Sequence, residues 1–291
     1  MSHWFSALTA RFAPALAAAV LVASPLVAQA SGGGVPLDRF PTAKLSDNAS
    51  LQNGAKLFVN YCLGCHSANL MRYNRLKDIG LTDAQIKENL MFTGTKVGDP
   101  MRIAMAPEDA KTWFGALPPD LSVTARARAS GDGSGADWIY SYLRSYYRDA
   151  TRATGWNNAV FPNVGMPHVF YQLQGTRGAT IEEIKKGEGH GFVKTVISFD
   201  AVTGARSETT EKIEGGHPHE GSTVKLGPAS GGSLTQAQYD EQVADITAFL
   251  TYVSDPSAKT RTALGTWVLL FLTLFIAVAW WLNREYWKEI K

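Results

Sequence analysis

Cys62-Leu63-Gly64-Cys65-His66 decides how the rest of this chain is read. A Cys-x-x-Cys-His spacing suits one chemistry, covalent attachment of a c-type haem: two thiols fix the macrocycle and the adjacent imidazole takes the iron. Cys62 and Cys65 are the only 2 cysteines in 291 residues, so no other thiol is available for a structural disulfide. A thioredoxin-like redox pair would need the motif between a strand and a helix in a βαβ context, and a helical pattern precedes it here. A zinc site would need two further ligands, and neither a second cysteine pair nor a His-x3-His follows.

Working outward, both ends of the chain are apolar. Residues 1–30 read as an export signal: Arg11 in the n-region, an apolar run from Ala13 to Val27, and the small-residue site Ala28-Gln29-Ala30 before Ser31. Pro25 breaks that run, which is shorter than the roughly 20 residues a spanning helix needs. Cleavage after Ala30 and a home outside the bacterial cytoplasm follow, and c-type haem maturation takes place in that compartment. At the other end, Ala263 to Leu282 carries no charge and has Trp267 near one end and Trp280 and Trp281 near the other, as in a transmembrane helix. An exported body followed by one stop-transfer helix leaves residues 283–291 as a cytoplasmic tail and residues 31–260 as a periplasmic domain. The flanking charges agree weakly, because Arg284, Lys288 and Lys291 are offset by Lys259 and Arg261. The net charge of +2 gives no reason to expect nucleic acid.

The body between these ends reads as mainly α, a class I cytochrome c-like helical domain with long loops, an inserted β excursion and the C-terminal transmembrane helix. Leu51, Ala55, Phe58 and Cys62 recur at helical spacing up to the motif, with Ser46, Asp47, Asn48 and Ser50 as candidate caps. Thr82-x-x-Gln85 is a capping box ahead of Ile86 and Leu90. Trp138, Tyr142 and Tyr146 form an aromatic stripe on a helix predicted over about Ala136 to Arg148. The best-formed helix opens at Thr235-x-x-Gln238, carries Tyr239, Val243, Ile246, Phe249, Leu250 and Val253 on one face, and stops at Asp255-Pro256. Residues 178–232 differ in character: Phe192 to Phe199 alternates and Thr203-Gly204 offers a turn, so an inserted β-ribbon or excursion is predicted there. Its His190, His217 and His219 sit among Gly and Pro and read as solvated loop rather than metal ligands.

The iron needs a sixth ligand, or a deliberately open site, and a neutral thioether would raise the potential, which would suit an electron carrier downstream of quinol. Met71 lies too close in sequence to His66 to reach the opposite face of the ring. Met91 sits on the second helix, and Met101 and Met105 flank a Pro- and Gly-punctuated loop. Met166 stands in the irregular stretch Phe161-Pro162-Asn163-Val164-Gly165-Met166-Pro167, where prolines can stiffen a strap. His168 is the rival donor and would give bis-His ligation.

The chain resembles the cytochrome c1 family, the haem c subunit of the bacterial ubiquinol:cytochrome c oxidoreductase or bc1 complex. The resemblance is carried by Tyr61-Cys62-Leu63-Gly64-Cys65-His66-Ser67, Met71-Arg72-Tyr73-Asn74-Arg75-Leu76, Gly115-Ala116-Leu117-Pro118-Pro119-Asp120-Leu121-Ser122, Arg126-Ala127-Arg128 and Gly165-Met166-Pro167. It implies one covalent haem c on Cys62 and Cys65, with His66 and Met166 as axial iron ligands. It also implies that Pro118 and Pro119 line the haem pocket and that Arg128 lies near a haem propionate. Trp138 stands where relatives often have tyrosine, and Trp113-Phe114 replaces a polar pair. The implied function is electron transfer, not catalysis by side chains: a Rieske iron-sulfur protein reduces the haem after quinol oxidation on cytochrome b, and a cytochrome c removes the electron. A dimeric bc1 complex in the bacterial inner membrane is implied as well. Two other classes compete, a membrane-anchored cytochrome c feeding a terminal oxidase or reductase, and an exported thiol oxidoreductase with Cys62 as nucleophile.

Overall fold

The computed structural model describes residues 35–187, 191–213 and 219–289. The export signal, its cleavage site, His190 and His217 lie outside the described residues. His219 is exposed, as a solvated loop residue should be.

Helix α1 (Asn48–Leu57) starts at Asp47, whose carboxylate accepts from the Ala49 and Ser50 amides at 3.0 and 3.3 Å. Such a cap satisfies donors that the first turn leaves without intrahelical partners. The helix runs on into one π turn, Phe58–Cys62, where the Leu63 amide donates to Phe58 O at 2.9 Å. A π turn is rare, and here it leads into the motif. Strand β1 (Ala68–Arg72) follows, then a 3₁₀ segment (Tyr73–Ile79) and α2 (Asp83–Asn89), which is capped by the predicted Thr82 and Gln85 box. Strand β2 (Pro100–Met101) pairs with β1, and helices α3 (Pro107–Phe114) and α4 (Thr124–Ala127) flank the Pro118-Pro119 block.

Helix α5 (Gly135–Arg144) ends four residues earlier than the stripe predicts. Tyr146 lies on β3 (Tyr146–Arg148), which pairs with β4 (Trp156–Asn158). The pairing captures two tyrosines whose β-propensity competes with the helix. After the strap and a short α6 (Tyr171–Gln174), β5 (Gly175–Thr176) leads into the excursion. The predicted β excursion is a four-stranded antiparallel sheet of β6 (Ala179–Lys186), β7 (Phe192–Phe199), β8 (Arg206–Ile213) and β9 (Gly221–Leu226), in the order β8-β7-β6-β9. Its edge strand β8 carries Arg206, Glu208, Glu211 and Lys212, charges that discourage pairing with another chain.

The chain leaves the excursion through β10 (Ser230–Gly231), which pairs with β5, Ser230 opposite Thr176 and Gly231 opposite Gly175. This neck depends on Gly175: its φ is +86°, and a Cβ there would sit 2.1 Å from Ser230 O. The sheet docks onto the hairpin β3-β4 through Phe199 against Tyr147, ring centres 5.1 Å apart, and through Ala150 N to Gly204 O at 2.9 Å.

Helix α7 (Gln236–Ser254) opens with the predicted Thr235 and Gln238 box and crosses α1. Leu51, Ala55 and Phe58 meet Val243, Ile246 and Phe249 in one buried cluster, with the rings of Phe58 and Phe249 5.7 Å apart. Apart from Ala55, each of these buried side chains contributes on the order of 1.5–3 kcal/mol relative to exposure. Arg144 holds α5 to α7 through a bidentate pair with Asp240 at 2.7 and 2.9 Å, and Tyr239 Oη donates to Leu143 O at 2.7 Å. Helix α8 (Ala258–Tyr286) contains the predicted apolar stretch and buries none of its residues against the protein. Its charge-free part, Ala263 to Leu282, spans about 30 Å, the thickness of a bilayer's hydrocarbon core.

Candidate haem site

The motif sits at the end of the α1 π turn. Amides of Cys65 and His66 both donate to Cys62 O, at 3.0 and 2.8 Å, which folds the two thiols and the imidazole into one tight loop. Cys62 is buried and Cys65 exposed, and neither forms a disulfide. Burial pushes the Cys62 thiol up to about 12, the reverse of what a thiolate nucleophile needs. That disfavours Cys62 as the nucleophile of an exported thiol oxidoreductase.

His66 is nearly enclosed, and its Nδ1 lies 2.7 Å from Pro119 O. A carbonyl only accepts, so Nδ1 carries the proton and Nε2 presents its lone pair. Burial lowers the imidazole pKa, partly offset by this bond to Pro119 and by the charge of Asp120, which keeps the ring neutral and able to ligate. The Pro118 to Ser122 block is stitched to the chain after the motif. Leu121 N donates to Ser67 O at 2.8 Å, Leu70 N to Ser122 Oγ at 2.9 Å, and Asn69 N to Asp120 Oδ2 at 2.8 Å. Pro119 therefore acts on His66 through its carbonyl oxygen, and the loop bonds hold that oxygen in place.

Met166 lies on a strap over residues 159–167 that two asparagines of β4 pin down. Asn158 is fully buried: its Oδ1 accepts from Val160 N, Phe161 N and Ser145 Oγ at 2.9–3.0 Å, and its Nδ2 donates to Tyr142 O at 2.8 Å. Asn157 Oδ1 accepts from Asn163 N at 2.8 Å, at the one described non-glycine residue with positive φ, +63°. Asparagine tolerates that left-handed conformation better than most residues. Tyr142 Oη lies 3.4 Å from Met166 Sδ, and Tyr146 Oη lies 3.3 Å from Met166 O.

The rival donors are placed differently. Met71 and Met101 are enclosed in the main core, and Met91 packs against it. His168 is stacked on Tyr146, ring centres 4.8 Å apart, and met edge-on by Trp156 at 5.0 Å. Burial pushes its pKa down to about 3, so this ring too is neutral, and what sets it apart from His66 is its packing between Tyr146 and Trp156. Arg128 is exposed and stacks over Trp138 at 4.2 Å and Phe161 at 5.5 Å. It forms no ion pair among the described residues, so the edge of its guanidinium is open to a carboxylate.

Two free thiols, one imidazole of fixed tautomer and one thioether on a rigid strap form a donor set suited to haem c. Sequence reasoning missed Asn157, Asn158 and Tyr142 as supports of the site. The paired asparagines ahead of a Pro- and Gly-containing loop were the available signal for the first two.

Comparison with known proteins is consistent with this geometry. The Cytochrome C1 family pattern matches residues 41–174 and 231–290, so the unmatched stretch begins and ends at the neck formed by β5 and β10. The chain is 40% identical over 272 residues to a protein named ammonia monooxygenase gamma subunit of Nitrosomonas europaea, covering 94% of this chain and 96% of that protein. It is 40% identical over 274 residues to cytochrome c1 of Allochromatium vinosum, covering 94% and 97%, and 26% identical over 299 residues to cytochrome c1 of Rhodospirillum rubrum, covering 95% and 96%. Shared sequence of that extent, laid over a motif helix crossed by α7, makes the chain a member of the cytochrome c1 family: a membrane-anchored electron-carrier subunit of the bc1 complex, with covalent haem c and no enzymatic activity on its own.

Proposed function

We propose that Cys62 and Cys65 carry the haem through thioether bonds, with His66 Nε2 and Met166 Sδ as its axial ligands. The observation that carries this reading is the 2.7 Å contact of His66 Nδ1 with Pro119 O, which orients the ring and reserves Nε2 for the iron. Bound haem c supplies a one-electron couple; the chain's own residues hold, orient and shield it. Pro118 and Pro119 form the wall on the His66 side, and Arg128, braced on Trp138, offers its guanidinium edge to a propionate. The Asn157 and Asn158 strap fixes the sulfur, so little reorganisation accompanies a change of oxidation state.

In the assembled complex the Rieske protein delivers the electron and a cytochrome c takes it away, with cytochrome b beside the anchor and the whole complex a dimer. The haem domain, residues 31–260, faces the periplasm after removal of residues 1–30, helix 263–282 spans the inner membrane, and residues 283–291 face the cytoplasm.

Met166→Leu tests the ligand assignment. Covalent haem should remain while the low-spin, high-potential signal is lost; an unchanged spectrum and potential would mean that another donor binds the iron. Purification from detergent-solubilised membranes tests the partners. Recovery with cytochrome b and a Rieske protein supports the assignment, and recovery with oxidase or monooxygenase subunits alone would overturn it.

A further inference from the structure

We propose that Tyr142 is a positioning residue for the distal ligand: its hydroxyl donates a hydrogen bond to Met166 Sδ, and Tyr146 governs how fully that bond is made. The inference rests on Met166 being the distal donor.

The contacts impose a proton count. Tyr142 Oη and Tyr146 Oη are 2.6 Å apart, Tyr142 Oη is 3.4 Å from Met166 Sδ, and Tyr146 Oη is 3.3 Å from Met166 O. Each hydroxyl has one proton to donate, so two protons serve three contacts. In one arrangement Tyr146 donates to Tyr142 and Tyr142 donates to the sulfur. In the other, Tyr146 donates to Met166 O, Tyr142 donates to Tyr146, and the sulfur receives nothing.

Both rings are clamped, so neither hydroxyl can swing away. Tyr142 stacks on Trp138 at 4.8 Å and 11°, and Tyr146 stacks on His168 at 4.8 Å and 7°. Asn158 Nδ2 holds the backbone carbonyl of Tyr142 at 2.8 Å. A donor on the sulfur withdraws electron density from the thioether, weakens its donation to iron and favours the reduced haem. Tyr142 therefore raises the potential, and Tyr146 competes with the sulfur for the Tyr142 proton.

Loss of the Tyr142 hydroxyl should lower the potential and loss of the Tyr146 hydroxyl should not, a difference that a merely structural role would not produce. Tyr142→Phe keeps the ring stack and removes the donor, so the midpoint potential should fall. At a fixed poise the ratio of reduced to oxidised haem should drop by about 2- to 10-fold, the range for losing one neutral hydrogen bond. Tyr146→Phe removes the alternative acceptor, so the Tyr142 proton goes to the sulfur, and the potential should hold or rise. Both are measured by redox titration of the full-length chain in its membrane, followed at the haem c absorbance, with Met166→Leu alongside. A fall in both variants, or no shift in Tyr142→Phe while Met166→Leu loses the low-spin signal, overturns the role of Tyr142. An unchanged Met166→Leu spectrum instead overturns the ligand assignment beneath it. If Tyr142→Phe fails to retain haem, Tyr146→Phe alone decides, and a fall in its potential refutes the proposal.

Discussion

Gly54→Ala should destabilise the haem domain although alanine is the better helix former. A Cβ on Gly54 would lie 2.1 Å from Asp245 O and 2.6 Å from Phe249 Cβ, and real Cβ atoms essentially never come within 3.0 Å of a neighbour. One obstacle is backbone and the other is the root of a side chain, so neither can rotate away. The helices must separate by about 1 Å, which loosens the packing of Phe58 on Phe249 and strains the bonds of Asn53 Nδ2 to Gln242 and Asp245 at 3.0 and 2.8 Å. Overpacking of this kind costs about 1–3 kcal/mol or more. Replacing glycine within a helix returns about 1 kcal/mol. Because the clash is with backbone, the upper end of the cost applies, leaving a net loss of about 2 kcal/mol. For a domain of this size that lowers Tm by about 4–8 °C. Thermal unfolding of the haem-loaded protein, followed by circular dichroism and by haem content, measures the change. Gly98→Ala, where a Cβ would meet nothing within 4 Å, is the control and should not move Tm by more than a degree or two. An unchanged or raised Tm for Gly54→Ala would refute the close crossing of α1 and α7.

Asn158→Ala strips the strap of two amide contacts and leaves Tyr142 O with only its bonds from Ser145, so a loss of about 2–3 kcal/mol is expected. Added imidazole should bind the ferric haem faster in this variant, and equal rates would show that the asparagine does not hold the strap. Asp137 gives a pH dependence. Burial alone would raise its carboxyl pKa, but bonds from Phe40 N and from Ser134 Oγ and N outweigh it and hold the value below the usual range. A folded-state pKa below the unfolded value of about 3.9 contributes stability that is present above that pH and lost as pH falls through the folded value. The urea stability gap between the parent and Asp137→Asn should therefore be open at pH 7 and narrow as the pH is taken below the usual carboxylate range; a constant gap would contradict the assignment. Replacing residues 177–229 with an Asn-Gly turn joins paired positions, so the variant should keep covalent haem. It should also unfold at lower temperature, because Tyr147 loses Phe199; failure to mature with haem would mean that the sheet is needed to build the site. Truncation after Arg261 should release a soluble haem-bearing fragment, and a fragment found only as aggregate would argue that α8 is part of the core.

What the sequence revealed, it revealed through local chemistry. Three capping boxes or Asx caps, the motif helix, α7 and the apolar C-terminal stretch all follow from patterns within one turn or one face. Strand β6 was harder to read, because Ile181 and Ile184 among paired Glu and Lys residues mimic a helix until β7 and β9 pair with both sides of the strand. Tyr146 illustrates the same limit. Its spacing from Trp138 and Tyr142 suits a helix, and only the partner strand, ten residues further on, decides otherwise. The role of Tyr142 could not be read at all, since a contact across 24 positions depends on how the strap folds back.

The neck at Gly175 and Gly231 also bears on how insertions can enter a working protein. Entry and exit are already paired there, so a segment added at this point must only close on itself. The entropy of closing a flexible loop grows with the logarithm of its length, about 0.6 kcal/mol per doubling. Helices α1 and α7, whose Asn53 and Asp245 are 192 positions apart, would scarcely register an insert twice as long. The neck is thus a seam where evolution, or an engineer with a reporter domain of closely spaced termini, can splice in new structure while the crossing of α1 and α7 keeps its geometry.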